Sequence, residues 1–275
     1  MTTTLDPILR DDWHPVADLE LPGDVEAETR LFGETLTVGP GARARLAGRD
    51  LPVRARYGFL WASLGDPNGE VVDIPEAAEA DRHVVHGGSF GVHVSGLRAV
   101  ENFLDMGHFP FVHDGWLGAE PHTEVPPYEV IVDEGGVLAT ECKFYQPIAS
   151  PSANEGIMAD YVYRVIRPYT VALYKTNPGY AERRDYIALF IQPTEPERCI
   201  VHTFLAYLKK DIDAATVRWF MQLIFAQDKP ILENQRPRLL PLDPRAETPI
   251  RADAASVAYR RWLRDLGVSY GAIPA

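Results

Sequence analysis

An aspartate and two histidines fall close together in Asp105-Met-Gly-His108-Phe-Pro-Phe-Val-His113, and Asn102 stands three positions upstream. Imidazole nitrogens are common ligands of first-row metal ions. Residues 99–106 can form a helix. Gly107 and Pro110 interrupt it, because proline lacks an N–H and its ring clashes with the preceding turn. His108 then sits near a helix end and His113 just past it, close enough for both rings to reach one ion. Asp105 lies one helical turn before His108 and can hold that ring in place. Spacing alone leaves two readings open: a ligand pair, or two packed or surface histidines.

A second carboxylate joins them by a separate route. The pattern over Asp213 to Lys229 predicts the strongest helix of the chain, with Asp213 as its cap. Val217, Met221, Ile224 and Asp228 recur at helical spacing, so Asp228 ends an apolar stripe. A carboxylate on an apolar face is costly unless it is paired or bound to a cation. Trp219, Phe220 and Leu223 on this helix either pack or face a substrate. Trp116, Leu117 and His122, in the Gly- and Pro-rich loop after His113, are further pocket candidates, because loops that follow a site often shape it.

The elements that must position these groups read as α+β. Residues 128–132 and 137–145 flank Asp133-Glu-Gly-Gly136, a hairpin signal. Residues 160–166, 170–175, 185–191 and 199–207 read as four further strands with short turns, hence an antiparallel sheet. A last amphipathic helix spans 254–266. Residues 1–10 read as a loose tail. His83, His86 and His93 read as structural residues, since their uneven gaps suit differing strand faces, and so does His14, a lone histidine beside Trp13 and Pro15.

At 275 residues the chain suits one large domain, or a domain with a small appendage. A formal charge of −12 argues against nucleic acid and against anionic membrane surfaces as partners. There is no apolar run long enough to span a bilayer, and the N-terminus lacks the basic start and apolar core of a signal peptide, so a cytoplasmic location is expected.

The spacing Asn-x-x-Asp-x-x-His-x-x-x-x-His, met by Asn102, Asp105, His108 and His113, resembles the iron motif of the catalytic domain of Rieske non-haem iron oxygenases, in the form seen in vanillate, dicamba and methylxanthine demethylases. That family has a third ligand in a late Glu-Asp-Lys. Here Gln227-Asp228-Lys229 stands there, with Gln where Glu is usual. The resemblance implies Fe(II) held by His108, His113 and Asp228, with positions left open for dioxygen and substrate. It implies a supporting role for Asn102. Asp105 is implied as the catalytic link from an iron-ligand histidine towards a cluster-ligand histidine of a neighbouring subunit.

The same resemblance implies a helix-grip catalytic domain over residues 76–275 and a small all-β Rieske-domain remnant over 11–75. Asp12-Trp13-His14-Pro15 resembles the start of such a domain, and Tyr57 to Pro67 the strand that follows its cluster lobe. A Rieske centre needs Cys-x-His together with Cys-x-x-His. With Cys142 and Cys199 as its two cysteines, the chain reads as having neither pair, so no 2Fe-2S cluster of its own is expected. The implied donor is a separate protein carrying a Rieske 2Fe-2S centre, and the implied assembly is a homotrimer or a hetero-oligomer with related subunits. The implied reaction is O2-dependent hydroxylation of a methyl group on a small molecule, in particular N-demethylation of a methylxanthine-like heterocycle with release of formaldehyde. Two other classes stay open: a non-catalytic scaffold subunit assembled with a cluster-bearing homologue, and a metal hydrolase on the same fold.

Overall fold

The computed structural model describes residues 5–19, 25–151, 153, 155–208 and 212–275. A short helix α1 (Pro7–Arg10) leads into seven short strands: β1 (His14–Asp18), β2 (Ala27–Leu31), β3 (Glu34–Gly39), β4 (Arg43–Leu46), β5 (Arg49–Asp50), β6 (Val53–Arg56) and β7 (Phe59–Ala62). They form two small antiparallel sheets, ordered β2-β3-β4-β5 and β1-β7-β6.

The rest of the chain is built on β8 (His83–Val92), α2 (Gly96–Leu104), α3 (Phe109–Val112), β9 (Glu129–Asp133), β10 (Gly136–Gln146), β11 (Ile157–Arg167), β12 (Thr170–Asn177), β13 (Tyr180–Glu195), β14 (Arg198–Tyr207), α4 (Ala214–Glu233), β15 (Leu240–Pro241), α5 (Ala254–Asp265) and β16 (Ala272–Ile273). Strands β8 to β14 form one seven-stranded antiparallel sheet, ordered β8-β14-β13-β12-β11-β10-β9. The β9–β10 hairpin turns through Glu134-Gly135, as the glycine pair predicts.

The two faces of this sheet have different partners, because side chains alternate along a strand. One face carries Phe144, Tyr161, Tyr163, Leu173 and Leu189 and shares a core with α2, α4 and α5. The other carries Tyr186, Ala188, Phe190, Phe204 and Ala206 and is covered by Trp13, Phe59, Trp61 and Val71. Residues 11–75 thus cover the sheet's back face through Trp13, Phe59, Trp61 and Val71, while Leu31, Leu36, Ala44 and Leu60 of the same segment join the main core. The backbone N–H groups of Phe32 and Gly33 donate to the carbonyls of Pro193 and Thr194, at 2.7 and 2.8 Å.

Strand β10 contains a bulge between Ala139 and Cys142, where Glu141 takes a positive φ of 59°. Val137 and Ala139 face the core before it; Cys142, Phe144 and Gln146 face the core after it. The extra residue shifts the alternation by one.

Three local expectations need correction. Residues 5–10 are no loose tail: Leu9 is fully buried, and the Asp6 carboxylate accepts from the Ser269 and Tyr270 N–H groups at 2.7 and 3.0 Å. Residues 1–4 of that reading lie outside the described residues. Pro110 does not simply end a helix; it lies in the first turn of α3, where an N–H would have no helical partner. Helix α4 runs past Lys229 and through Pro230 to Glu233, with Asn234 Nδ2 donating to the Pro230 carbonyl at 2.8 Å.

Candidate metal centre

Helix α2 is held at both ends. Ser95 caps its start, accepting from Leu97 N–H at 3.2 Å. Arg98 reaches Glu101 at 3.0 Å and Glu247 at 2.6 Å, while Arg260 of α5 pairs with the same two carboxylates. Burial would raise the Glu247 pKa, but the two guanidiniums outweigh it and bring it down to about 2. This lattice fixes α2 against α5, and with it Asn102 near the helix end and Asp105 at its C-cap.

His108 and His113 flank the single turn of α3, and Asp228 reaches them from α4. The Nε2 atoms of the two histidines are 3.2 Å apart; Oδ1 of Asp228 lies 3.3 Å from the first and 3.1 Å from the second. The other ring nitrogens are engaged outward. Nδ1 of His108 donates to Oδ2 of Asp105 at 3.1 Å, and Nδ1 of His113 donates to Oε1 of Gln227 at 2.8 Å. With the protons on Nδ1, both Nε2 lone pairs point at Asp228. Oδ1 of Asp105 accepts the Gly107 N–H at 2.7 Å, which steadies the carboxylate that steadies the ring. Asn102 Nδ2 donates to Oδ1 of Asp228 at 3.1 Å.

Three acceptors that converge within 3.3 Å repel one another unless positive charge lies among them. Without a metal ion a proton on Nε2 of His108 supplies that charge: burial would lower the His108 pKa, yet the hydrogen bonds to Asp105 and Asp228 outweigh it and lift it to about 9. Burial would likewise raise Asp228, and the bonds from His108 and His113 hold it well below the usual carboxylate range. The cluster therefore favours a cation. Two imidazoles and one carboxylate, all ligand atoms within 4.8 Å, suit a first-row divalent ion and leave open coordination positions, the donor set of Fe(II) oxygenases.

The donors open on a largely apolar cavity between the helices and the sheet. Apolar walls with a few polar groups are the usual lining of small-molecule sites. Its helix side carries Phe109, Leu117, Phe220, Ile224 and Phe225, and its sheet side Gln146, Tyr161, Tyr163, Leu173 and Lys175. Of the residues expected here, Leu117 and Phe220 line it. Trp116 instead packs edge-on against Trp219 and Phe220, at 6.0 and 5.9 Å between ring centres; Trp219 is mostly exposed, and Leu223 is half-buried outside the cavity. These three are corrections; for the two on α4 the cause is helix phase: Phe220, Ile224 and Asp228 share the face turned to the site, one turn apart, and Trp219 and Leu223 sit one residue behind it. His122 is exposed and stacks on Tyr145.

Gln146, Tyr161 and Lys175 were not anticipated. Their signal is a polar or phenolic group at an inward position of an apolar strand. The bulge hid it for Gln146; apolar residues on both faces hid it for the other two.

His14, His86 and His202 have structural partners. His86 stacks on Phe59 at 4.3 Å and contacts the Tyr57 carbonyl through Nε2 at 2.9 Å. Cys199-Ile-Val-His202 does have the spacing of one Rieske pair. It lies within β14, where residues three apart face opposite ways. His202 is buried between Ser89 and Gln192, and burial lowers its pKa to about 4. Both cysteines are buried, and burial pushes their thiols up to about 12.

Helices α2, α4 and α5 set against one face of a seven-stranded antiparallel sheet, with a His-His-carboxylate cluster at an apolar cavity, define the class of catalytic domain found in non-haem iron oxygenases. The chain belongs to the family of the vanillate O-demethylase oxygenase C-terminal domain, whose model matches residues 92–268. It is an oxidoreductase of that kind. It is 48% identical over 271 residues to the probable methylxanthine N7-demethylase NdmC of Pseudomonas sp. (strain TJI-51), covering 95% of each chain. Among solved structures, NdmA of Pseudomonas putida CBB5 with caffeine matches 94% of this chain and 90% of its own with a TM-score of 0.77 at 21% identity. Dicamba monooxygenase bound to 3,6 dichlorosalicylic acid matches 94% of this chain and 97% of its own, with a TM-score of 0.75 at 17% identity. At such identities the structures speak for the fold alone.

Proposed function

We propose that this chain is the oxygenase subunit of an N-demethylase. It binds Fe(II) through His108, His113 and Asp228 and takes a methylxanthine-like heterocycle into the adjoining cavity. O2 and two electrons, delivered by a separate protein carrying a Rieske 2Fe-2S centre, oxidise an N-methyl group. The observation that carries this reading is the convergence of two Nε2 atoms and one carboxylate oxygen, 3.1–3.3 Å apart, at an apolar cavity. The 48% identity to a protein named as a methylxanthine N7-demethylase supports the substrate class. Assembly with like or related subunits, and a cytoplasmic setting, belong to the same proposal.

When bound, Fe(II) supplies the place where O2 is activated. The chain's own groups do the rest. Asp105 and Gln227 keep the Nδ1 protons of His108 and His113, so each Nε2 stays a lone-pair donor. Asn102 fixes the Asp228 carboxylate. Phe109, Leu117, Phe220 and Phe225 exclude water from the methyl group under attack. One oxygen atom enters a methyl C–H bond; the other leaves as water with two protons and the two electrons. The N-hydroxymethyl product then loses formaldehyde and leaves N–H.

The test is a single turnover with Fe(II)-loaded protein, O2, a pre-reduced Rieske donor and a methylxanthine. Formaldehyde and demethylated product should form in equal amounts. Product in strict anaerobiosis, or none with any methylxanthine, would overturn the proposal.

A further inference from the structure

Gln146 is the odd residue in the cavity wall. It ends β10, is fully buried, and faces the same cavity as the metal donors. Neither its Oε1 nor its Nε2 has a hydrogen-bond partner among the described residues. On the neighbouring strand the Tyr161 hydroxyl is also buried in this wall without a partner. Its ring is held by stacking on Tyr163, 5.8 Å centre to centre and 10° from parallel. Buried polar groups are nearly always satisfied, so orphans that line a cavity mark where a ligand's polar atoms go.

The donors for a metal come from α3 and α4, on the helix side, whereas these orphans come from β10 and β11, on the sheet side. A ligand between them would present its reacting carbon to one wall and its polar edge to the other. The chemistry of that edge follows from what Gln146 lacks. A primary amide offers an acceptor and a donor side by side. Its complement is a ring N–H beside a C=O, an unsubstituted lactam edge, which takes both bonds at once. A methyl group on that ring nitrogen would leave Oε1 buried and unpaired, and sites built to hydrogen-bond an N–H discriminate strongly against analogues that lack it. Tyr161 can donate to a second carbonyl.

We propose that Gln146 reads an unsubstituted lactam edge of the substrate, with Tyr161 as an additional donor, so that the site selects heterocycles with a free ring N–H over fully N-alkylated ones. This rests on the reading of the cavity as the substrate pocket.

The experiment is anaerobic calorimetric binding to Fe(II)-loaded protein without any electron donor. The probes are 7-methylxanthine, whose two lactam nitrogens are free, and caffeine, whose lactam nitrogens are methylated. Wild type should favour 7-methylxanthine about tenfold or more. Gln146→Met, equal in length, should weaken 7-methylxanthine about tenfold, change caffeine less than about threefold, and so erase the preference. Tyr161→Phe should weaken both ligands. Melting temperature and iron content should be unchanged in Gln146→Met, because this amide has no partner to lose among the described residues; a structural residue would lower the first.

Two results overturn the assignment: a preference that survives Gln146→Met, or no binding of 7-methylxanthine to wild type. Gln146-dependent binding without O2-dependent demethylation would sink the proposed reaction and leave this assignment standing. Demethylation with a preference indifferent to Gln146 would do the reverse.

Discussion

Asn102 and Asp228 are 126 residues apart in sequence and joined by a 3.1 Å hydrogen bond from amide nitrogen to carboxylate oxygen. The bond ties the end of α2 to the C-terminal half of α4. It orients a carboxylate whose neighbours on that helix face are otherwise apolar. Asn102→Ala should lower metal affinity by about 10–100-fold while the fold survives, since partners of a ligand act on its orientation. Metal titration followed by a spectroscopic probe such as Co(II) would reveal it; unchanged affinity would mean that Asp228 needs no such support.

Ligands and structural histidines should separate cleanly. His108→Ala, His113→Ala and Asp228→Ala should each abolish tight iron binding. His202→Ala should keep full iron occupancy and lose stability instead, because Ser89 and Gln192 lose their buried partner. Iron content per chain, read beside thermal unfolding, checks both halves. Full occupancy in Asp228→Ala would show the third ligand to be misassigned.

Asp105 has one oxygen on His108 Nδ1 and the other on the Gly107 N–H, and its side chain is about one-third exposed. It is thus both a support for a ring and a surface group. Asp105→Asn keeps the size and removes the charge. Iron content should hold, and electron delivery from a reduced Rieske donor should slow by about tenfold or more, the loss of a charge-assisted bond. Stopped-flow oxidation of the donor measures it. Equal rates would reduce Asp105 to a positioning role alone.

Lys175 is buried beside the Tyr161 ring, 5.9 Å from its centre, with Asp185 as its nearby opposite charge. Burial lowers its pKa from 10.5 to about 8, an effect that Asp185 only partly offsets. A base with a depressed folded pKa costs stability while it is charged. Folding expels a proton between about pH 8 and 10.5, so wild-type stability should rise with pH across that window. Lys175→Met should be more stable at pH 7, by on the order of 2 kcal/mol, and should lack the rise. Denaturant melts at pH 7, 8.5 and 10 decide it; a less stable variant would mean that the ammonium is satisfied in the fold.

The ligand set was legible because it is written in local spacing and in one long-range violation. Asn102 to His113 span a helix end and a single turn, so sequence distance translates directly into space. Asp228 stood out as a charge at the end of an apolar stripe. Strands β11 to β14 were readable from β-branched and aromatic runs broken by Gly and Pro, although β13 ran five residues further at its start and four at its end than the pattern indicated. The cavity wall was not legible. Trp219 and Leu223 looked as apolar as Phe220, and only the phase of α4 against β8 assigns one inward and the others away. Residues 5–10 gave no sign that Leu9 would be swallowed, since one buried leucine in a short segment has no periodicity.

The bulge in β10 has a consequence for what this wall can become. Run straight on from Val137 and Ala139, the strand would turn Glu141, Lys143 and Tyr145 towards the core, and Phe144 and Gln146 towards the outside. One unpaired residue, at the cost of a left-handed backbone at Glu141, swaps a charged inner face for an apolar one that ends in a neutral amide at the cavity. Backbone spacing here acts as a selector between two complete sets of side chains that the same sequence already carries. A relative could therefore acquire a different substrate range by losing or moving one residue near position 140, with every ligand of the metal left in place.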